Sequence, residues 1–494
     1  MTTKKKMLLT TVPIEDIVLT ARAHRKSPAL RTIDECFHAG NNIEYVNGFS
    51  LPNYATRFIQ SNVPSVDILE YPTWDQYRAA LSSGRYDVVG ISFWTYTSGE
   101  AVRMAQLARE AGVPEVWGGG HGVSTPGIDI HFDRTFRSYS EYELKPLLEG
   151  EELVDFRHPD LSHKYDFYLE EVPTGYLFTI RGCRAPCNFC SGPRYYRKLA
   201  LTSETEIDRI LDFYLSRGIR HVTVVDETFL QRVDYAKQVI AAMEQREMSW
   251  TCTSRIDVLL RHIDELAEHG LRNVYIGIES MNDVSLKNVR KCSSANKTAA
   301  LLNRLAELGR FAFGTYMICM DNDTEDSVKE DVAKLSQFES LYGAIFWITT
   351  PFPGTDLYDE MDRQGRIVDK DWKKYTALHL VNSHPNFSPE SARKLLYDCV
   401  KSHCNPMNFR KEKIIRRWNK LERNGPDLAA AAGPYRPEAT PWVEPPATEW
   451  RPLALPEPAI TEDFVQLQHL SAHNDASPPS DLIQLQTRLW GARS

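Results

Sequence analysis

The chain has 494 residues, 42% hydrophobic and 25% charged, with a formal net charge of −8. At roughly 150 residues per domain it holds about three domains, which excludes a small stapled module, and its ordinary composition excludes fibrous and wholly disordered chains. The negative balance argues against a nucleic-acid binder driven by overall charge, and no run of 18 apolar residues predicts a membrane span.

The apolar stretch from Met7 to Val12 is too short for an export signal and lacks a small-residue cleavage site, so it reads as a first strand of a cytoplasmic protein. Apolar runs at 66–70, 87–94 and 115–120 then alternate with helical patterns. Between the last two, Gly99 to Gly112 carries apolar residues at helical spacing and stops at glycine, which predicts parallel strands joined by a right-handed crossover. Residues 1–150 therefore read as a doubly wound, Rossmann-like α/β domain. Ligands of such sheets bind beyond the C-terminal strand ends, where this chain has Ser92, Trp94 and the turn Gly118-Gly119-Gly120. The glycines allow close backbone approach, Ser92 offers a hydrogen bond, and Trp94 and Trp117 either pack on a ligand or fill core.

A linker at 151–175 leads to a longer alternation, with candidate strands at 177–180, 221–226, 250–255, 273–279, 313–319 and 344–350. Six such repeats predict a partial, TIM-like (β/α)6 barrel over 176–360, with its chemistry at the C-terminal strand ends. A helical C-terminal extension spans 361–425. Residues 426–494 hold 11 of the 28 prolines and read as a mostly extended tail.

Nine cysteines without an export signal do not form a disulfide framework. Three of them, Cys183, Cys187 and Cys190, fall within eight residues directly after the first barrel strand. Three thiolates on one loop suit zinc or an iron–sulfur cluster. Structural zinc wants a fourth Cys or His, and none follows at suitable spacing. Three ligands leave one iron of a [4Fe–4S] cluster open to a substrate.

The run Cys183-Arg-Ala-Pro-Cys187-Asn-Phe-Cys190, preceded by Gly182, resembles the signature of the radical S-adenosylmethionine (SAM) family. The likeness extends through VVDETF, TSRID, YIGIES and TPFPGTDLY. The preceding domain, with DVVGISFW and VWGGGHG, is similar to the cobalamin-binding domain of cobalamin-dependent radical SAM enzymes. The resemblance implies that SAM chelates the open iron, with Arg255 on its carboxylate, Glu279 on a ribose hydroxyl, Asp226 or Glu227 at the amino group, Ser254 nearby and Phe189 holding the adenine through its backbone. It likewise implies cobalamin held by Ser92, Trp94, Gly118, Gly119 and Gly120. Two departures stand out. Asp16 and His24 lack the DxHxxG spacing of the other major cobalamin type, and Asp129 and His131 share its DxH beginning but lie after the glycine loop and lack the Gly, so no histidine is assigned to cobalt. After the fifth barrel strand, MICMDNDTED replaces the glycine-proline turn of many relatives, with Asn322 able to take a left-handed turn.

The implied reaction is C-methylation of an unactivated carbon in a small-molecule substrate, in secondary metabolism or cofactor or lipid modification. SAM is cleaved to a 5'-deoxyadenosyl radical, a methyl comes from methylcobalamin, and an electron comes from a donor such as flavodoxin or ferredoxin. The alternatives are a radical rearrangement, cyclisation or oxidation on the same scaffold, and a cobalamin or redox sensor.

Overall fold

The computed structural model describes residues 4–13, 53–163, 173–196 and 198–403, all within one compact unit. Asp16, His24, the end of the helical extension and the proline-rich tail lie outside the described residues.

The first sheet is parallel, with β1 (Met7–Thr11), β2 (Val66–Leu69), β3 (Val88–Ser92), β4 (Glu115–Gly119) and β5 (Arg134–Thr135) in the order β2-β1-β3-β4-β5. Its strands are near-continuous apolar runs because both faces are covered. Leu8, Val89 and Ile91 pack on one face with Met104 of the helix Ser98–Glu110, while Met7, Leu9 and Val88 point to the other with Trp117 and Leu144. The order reverses between β1 and β3, where Thr11 pairs with Ser92. In doubly wound sheets that reversal opens the ligand crevice.

The second sheet takes β6 (Ser162–His163), β7 (Thr174–Leu177), β10 (His221–Val224), β11 (Ser249–Thr253), β12 (Leu271–Glu279), β13 (Phe311–Ile318) and β14 (Leu341–Ile348). Its order is β14-β13-β12-β11-β10-β7-β6. The six strands from β7 to β14 are parallel, and β6 closes one edge antiparallel. This is the partial (β/α)6 barrel that the sequence predicts, filled by one continuous apolar core that includes Leu177, Val224, Trp250 and Ile276.

The first barrel strand lies three residues earlier than the apolar run at 177–180 suggests. Thr179 N and Ile180 N leave the sheet ladder to donate to the Asp226 carboxylate at 2.6 and 3.0 Å. Ile180 and Arg181 then form a short β8, antiparallel to β9 (Ala200–Leu201).

The two sheets meet around Arg181. Its guanidinium lies 2.6 Å from the Glu141 carboxylate, and both side chains are buried. It also sits over the rings of Phe58, Tyr139 and Phe156 at 4.4–4.6 Å. No helix among the described residues is long and apolar enough to cross a membrane.

Candidate functional site

The cysteine loop leaves β8 through Gly182, whose φ of +98° is one that side chains rarely adopt, and a Cβ there would stand 2.6 Å from the Tyr139 hydroxyl. Gly182 N donates to Glu227 Oε2 at 2.7 Å, and its carbonyl accepts from Gln231 Nε2 at 2.6 Å. Further along, Asn188 N donates to Val289 O and Asn188 Nδ2 to Asn288 O, both at 3.2 Å. The loop is therefore pinned at its start and in its middle.

Two of the three sulfurs already accept backbone hydrogen bonds, Cys183 Sγ from Ala185 N at 3.3 Å and Cys190 Sγ from Gly192 N at 3.4 Å. Cys190 keeps exposed surface although the protein packs closely around its sulfur. Burial pushes its thiol up to about 11 and raises Cys187 as well, with Lys291 opposing both shifts. Among the described residues no three His, Cys, Asp or Glu side chains gather tightly enough for a single metal ion. One zinc at about 2.3 Å from each sulfur would require that gathering, whereas a cluster takes each thiolate on a different iron. The donor set fits a [4Fe–4S] cluster.

Around the loop, the residues marked out by sequence divide into two groups. Asp226 is fully buried, and both its oxygens serve Thr179 and Ile180, which directs it to holding the loop's approach rather than a ligand's amino group. Phe189 packs on Val289, Met317 and Met320. Arg255 is engaged by Asp257, Nε to Oδ1 at 2.9 Å and Nη2 to Oδ2 at 2.7 Å, the bidentate fork expected of guanidinium and carboxylate.

Glu227, Ser254 and Glu279 keep capacity for a ligand. Glu227 lies deep but exposed, like Cys190. Ser254 is buried and its Oγ has no hydrogen-bond partner, an arrangement proteins seldom leave unfilled. Glu279 ends β12 at φ 64°, beside a register shift against β13. Its carboxylate accepts from Lys291 Nζ at 2.9 Å and Thr315 Oγ1 at 3.1 Å, leaving further lone pairs. Lys291 and Thr315 were not signalled by sequence. Lys291 sits on an irregular connection with no motif around it, and Thr315 reads simply as a strand residue.

The turn after β13 differs from expectation. Its left-handed residue is Cys319, at φ 61°, and Asn322 is not left-handed. The Cys319 conformation lets Asp323 fold back, so that Oδ2 accepts from Met320 N at 2.9 Å.

At the first sheet's crevice, Gly120 has φ +85° and a Cβ there would stand 2.6 Å from Phe93 O. A Cβ on Gly118 would press on the Phe132 ring at 3.1 Å, so both positions are demanded by the fold itself. Gly119 differs, because a Cβ there meets only Ile91 O at 4.0 Å, which leaves open space above it. Ser92 ends β3 half-buried beside this turn. Trp94 is 53% exposed, and its ring stacks on His121 at 5.0 Å. Trp117 is core, at 1% exposure. His121 also stacks on Tyr195 at 4.1 Å, and its Nδ1 lies 3.1 Å from Ser191 Oγ, next to Cys190. The glycine turn of one sheet thus touches the cysteine loop of the other, a junction that neither motif alone reveals.

A partial barrel with three cysteines after its first strand defines a class of enzyme, and residues 177–335 match the family described as the Radical SAM superfamily. That match takes in the cysteine loop and most of the barrel. It is 24% identical over 353 residues to a protein named as an uncharacterized methyltransferase of Pyrococcus horikoshii, covering 63% of this chain and 77% of that one. It is 26% identical over 359 residues to the bacteriochlorophyllide d C-12(1)-methyltransferase of Chlorobaculum tepidum, covering 64% and 74%. Its fold is shared with two solved structures. The cobalamin-dependent SAM radical enzyme OxsB superposes with a TM-score of 0.57 at 15% identity, over 87% of this chain and 72% of that one. The radical SAM methyltransferase TsrM of Kitasatospora setae superposes with a TM-score of 0.57 at 13% identity, over 85% and 100%.

Proposed function

We propose that the chain is a cobalamin-dependent radical SAM C-methyltransferase acting on a small molecule. The observation that carries this reading is the contact between the Gly120-His121 turn and the Ser191 end of the cysteine loop, because methyl transfer from a cobalamin to a substrate radical requires the two cofactor sites to face each other. The methyltransferase names of the relatives support the same outcome. Bound cluster, SAM and cobalamin together would supply reductive SAM cleavage and a transferable methyl group.

The chain's residues would serve these groups as follows. Cys183, Cys187 and Cys190 hold the cluster, and the Ala185 and Gly192 amides relieve charge on two of their sulfurs. Glu279, fixed by Lys291 and Thr315, accepts from a ribose hydroxyl, and the unpartnered Ser254 Oγ and Glu227 face SAM's polar groups. Arg255 acts through guanidinium N–H groups not spent on Asp257. Ser92 and the open space over Gly119 receive cobalamin, with Trp94 beside them. In this reading residues 1–150 are the cobalamin-binding domain, 176–360 the radical SAM barrel and 361–425 a C-terminal extension. A low-potential donor such as flavodoxin or ferredoxin supplies the electron in the cytoplasm.

Anaerobically reconstituted protein should hold about four irons, take up cobalamin, form 5'-deoxyadenosine with SAM and reductant, and pass label from methyl-labelled SAM to product. Cys183→Ala, Cys187→Ala and Cys190→Ala should each lose the cluster and all SAM cleavage. Four irons with no cobalamin uptake would sink the methylation reading and leave the radical SAM one standing.

A further inference from the structure

Lys291 is a buried cation placed by several independent constraints. The helix Asp283–Asn288 ends just before it, Arg290 takes φ 55°, and Lys291 N donates to Leu286 O at 2.8 Å. The two bonds from Asn188 to Asn288 and Val289 bind this connection to the middle of the cysteine loop. The ammonium reaches Glu279 at 2.9 Å, with side-chain exposures of 11% and 9%. Room for the pair comes from Gly277, where a Cβ would stand 2.5 Å from Lys291 Nζ and 2.2 Å from Glu279 Oε1.

An isolated buried ion pair needs only one carboxylate. Asn188 lies between Cys187 and Cys190 in the chain, so its bonds to Asn288 and Val289 bring the Lys291 connection against the segment that carries both thiols. Lys291 therefore stands among more negative groups than its salt bridge accounts for once the cysteines are thiolates. A positive charge beside a cluster favours its reduced form, because reduction adds one negative charge.

We propose that Lys291 is a positioning residue that sets the cluster's redox poise: its ammonium, anchored by Glu279, offsets the charge of the Cys187 and Cys190 ligands and of the incoming electron, and makes reduction easier. The inference rests on the reading of the three cysteines as cluster ligands. The step is a one-electron reduction of the cluster by an external low-potential donor, with no proton or group transferred.

The test is a redox titration followed by electron paramagnetic resonance, without SAM, on reconstituted wild type, Lys291→Met and Lys291→Arg. Lys291→Met is expected to keep the wild-type iron content while its reduction equilibrium weakens about tenfold, a negative shift of about 59 mV for one electron. Lys291→Arg should restore the wild-type midpoint. If Lys291→Met folds poorly, Lys291→Met/Glu279→Gln leaves no unpaired buried charge, and it should lie below Glu279→Gln alone by the same factor. Equal midpoints in either comparison, with the cluster present, overturn the inference alone. A wild-type protein that takes up no cluster overturns the cysteine reading and this inference with it.

Discussion

Asp226 illustrates how a single carboxylate can belong to the scaffold of a site. It is buried at the end of β10, and burial pushes its carboxyl up to about 8 from 3.8, against the donors on Thr179 and Ile180. The folded chain therefore retains a proton that the unfolded chain releases. Stability from this group is full below 3.8 and is lost as pH rises through about 8. Asp226→Asn cannot titrate, so its melting temperature should vary less with pH than that of wild type between about pH 5 and 9. It should also sit lower at the acid end, because the amide gives up an acceptor toward Ile180. Parallel melting series would check this, and equal slopes would show that Asp226 does not titrate in that range.

Sequence and structure part company at this same scale. The cysteines stand out in the sequence because three soft ligands within eight residues suit metal or cluster binding and little else. Asp226 looked like a ligand contact because a carboxylate at a strand end is what either role needs, and only the positions of the Thr179 and Ile180 donors separate the two. Lys291 was invisible, since its partner Glu279 is twelve residues away across a helix and the glycine that admits it, Gly277, reads as an ordinary strand residue.

Among the elements, the strand runs were legible wherever both faces are buried. From β10 to β14 each observed strand overlaps most of its apolar run, and β7 overlaps its run least, because side-chain capture by Asp226 competes with the ladder. The packing of β7 turns on Gly175, where a Cβ would stand 2.3 Å from the Tyr214 ring. Tyr214 is fully buried on the helix Glu204–Ser216, and its hydroxyl donates to Tyr176 O at 2.6 Å. Gly175→Ala has no room to relax around a rigid ring and should cost about 1–3 kcal/mol, read as a lower melting temperature with the cluster site's residues unchanged. An unaffected melt would mean that the helix can shift away from the sheet.

Across the whole molecule, the junction of the two sheets depends on buried charge. Glu141 is 2% exposed as a side chain, and its contact with Arg181 is a short charge pair supported by three aromatic faces. Arg181→Met strands that carboxylate and should destabilise the chain by about 3–5 kcal/mol, while Arg181→Met/Glu141→Gln should recover a large part of the loss. Calorimetry on both variants checks this, and equal destabilisation would assign the role to the aromatic contacts instead. Sequence could not foresee the junction, because Arg181 and Glu141 are 40 residues apart and no spacing pairs them.

The bonds that pin the cysteine loop bear on how such a protein matures. Glu227 and Gln231 grip Gly182, and Asn188 grips the 288–289 connection, each through protein atoms alone. Those bonds supply part of the order that the loop requires. A chain purified without iron should therefore keep a cooperative melt and take up iron and sulfide on anaerobic reconstitution, whereas Gln231→Ala and Asn188→Ala, which each remove one of those bonds, should take up less.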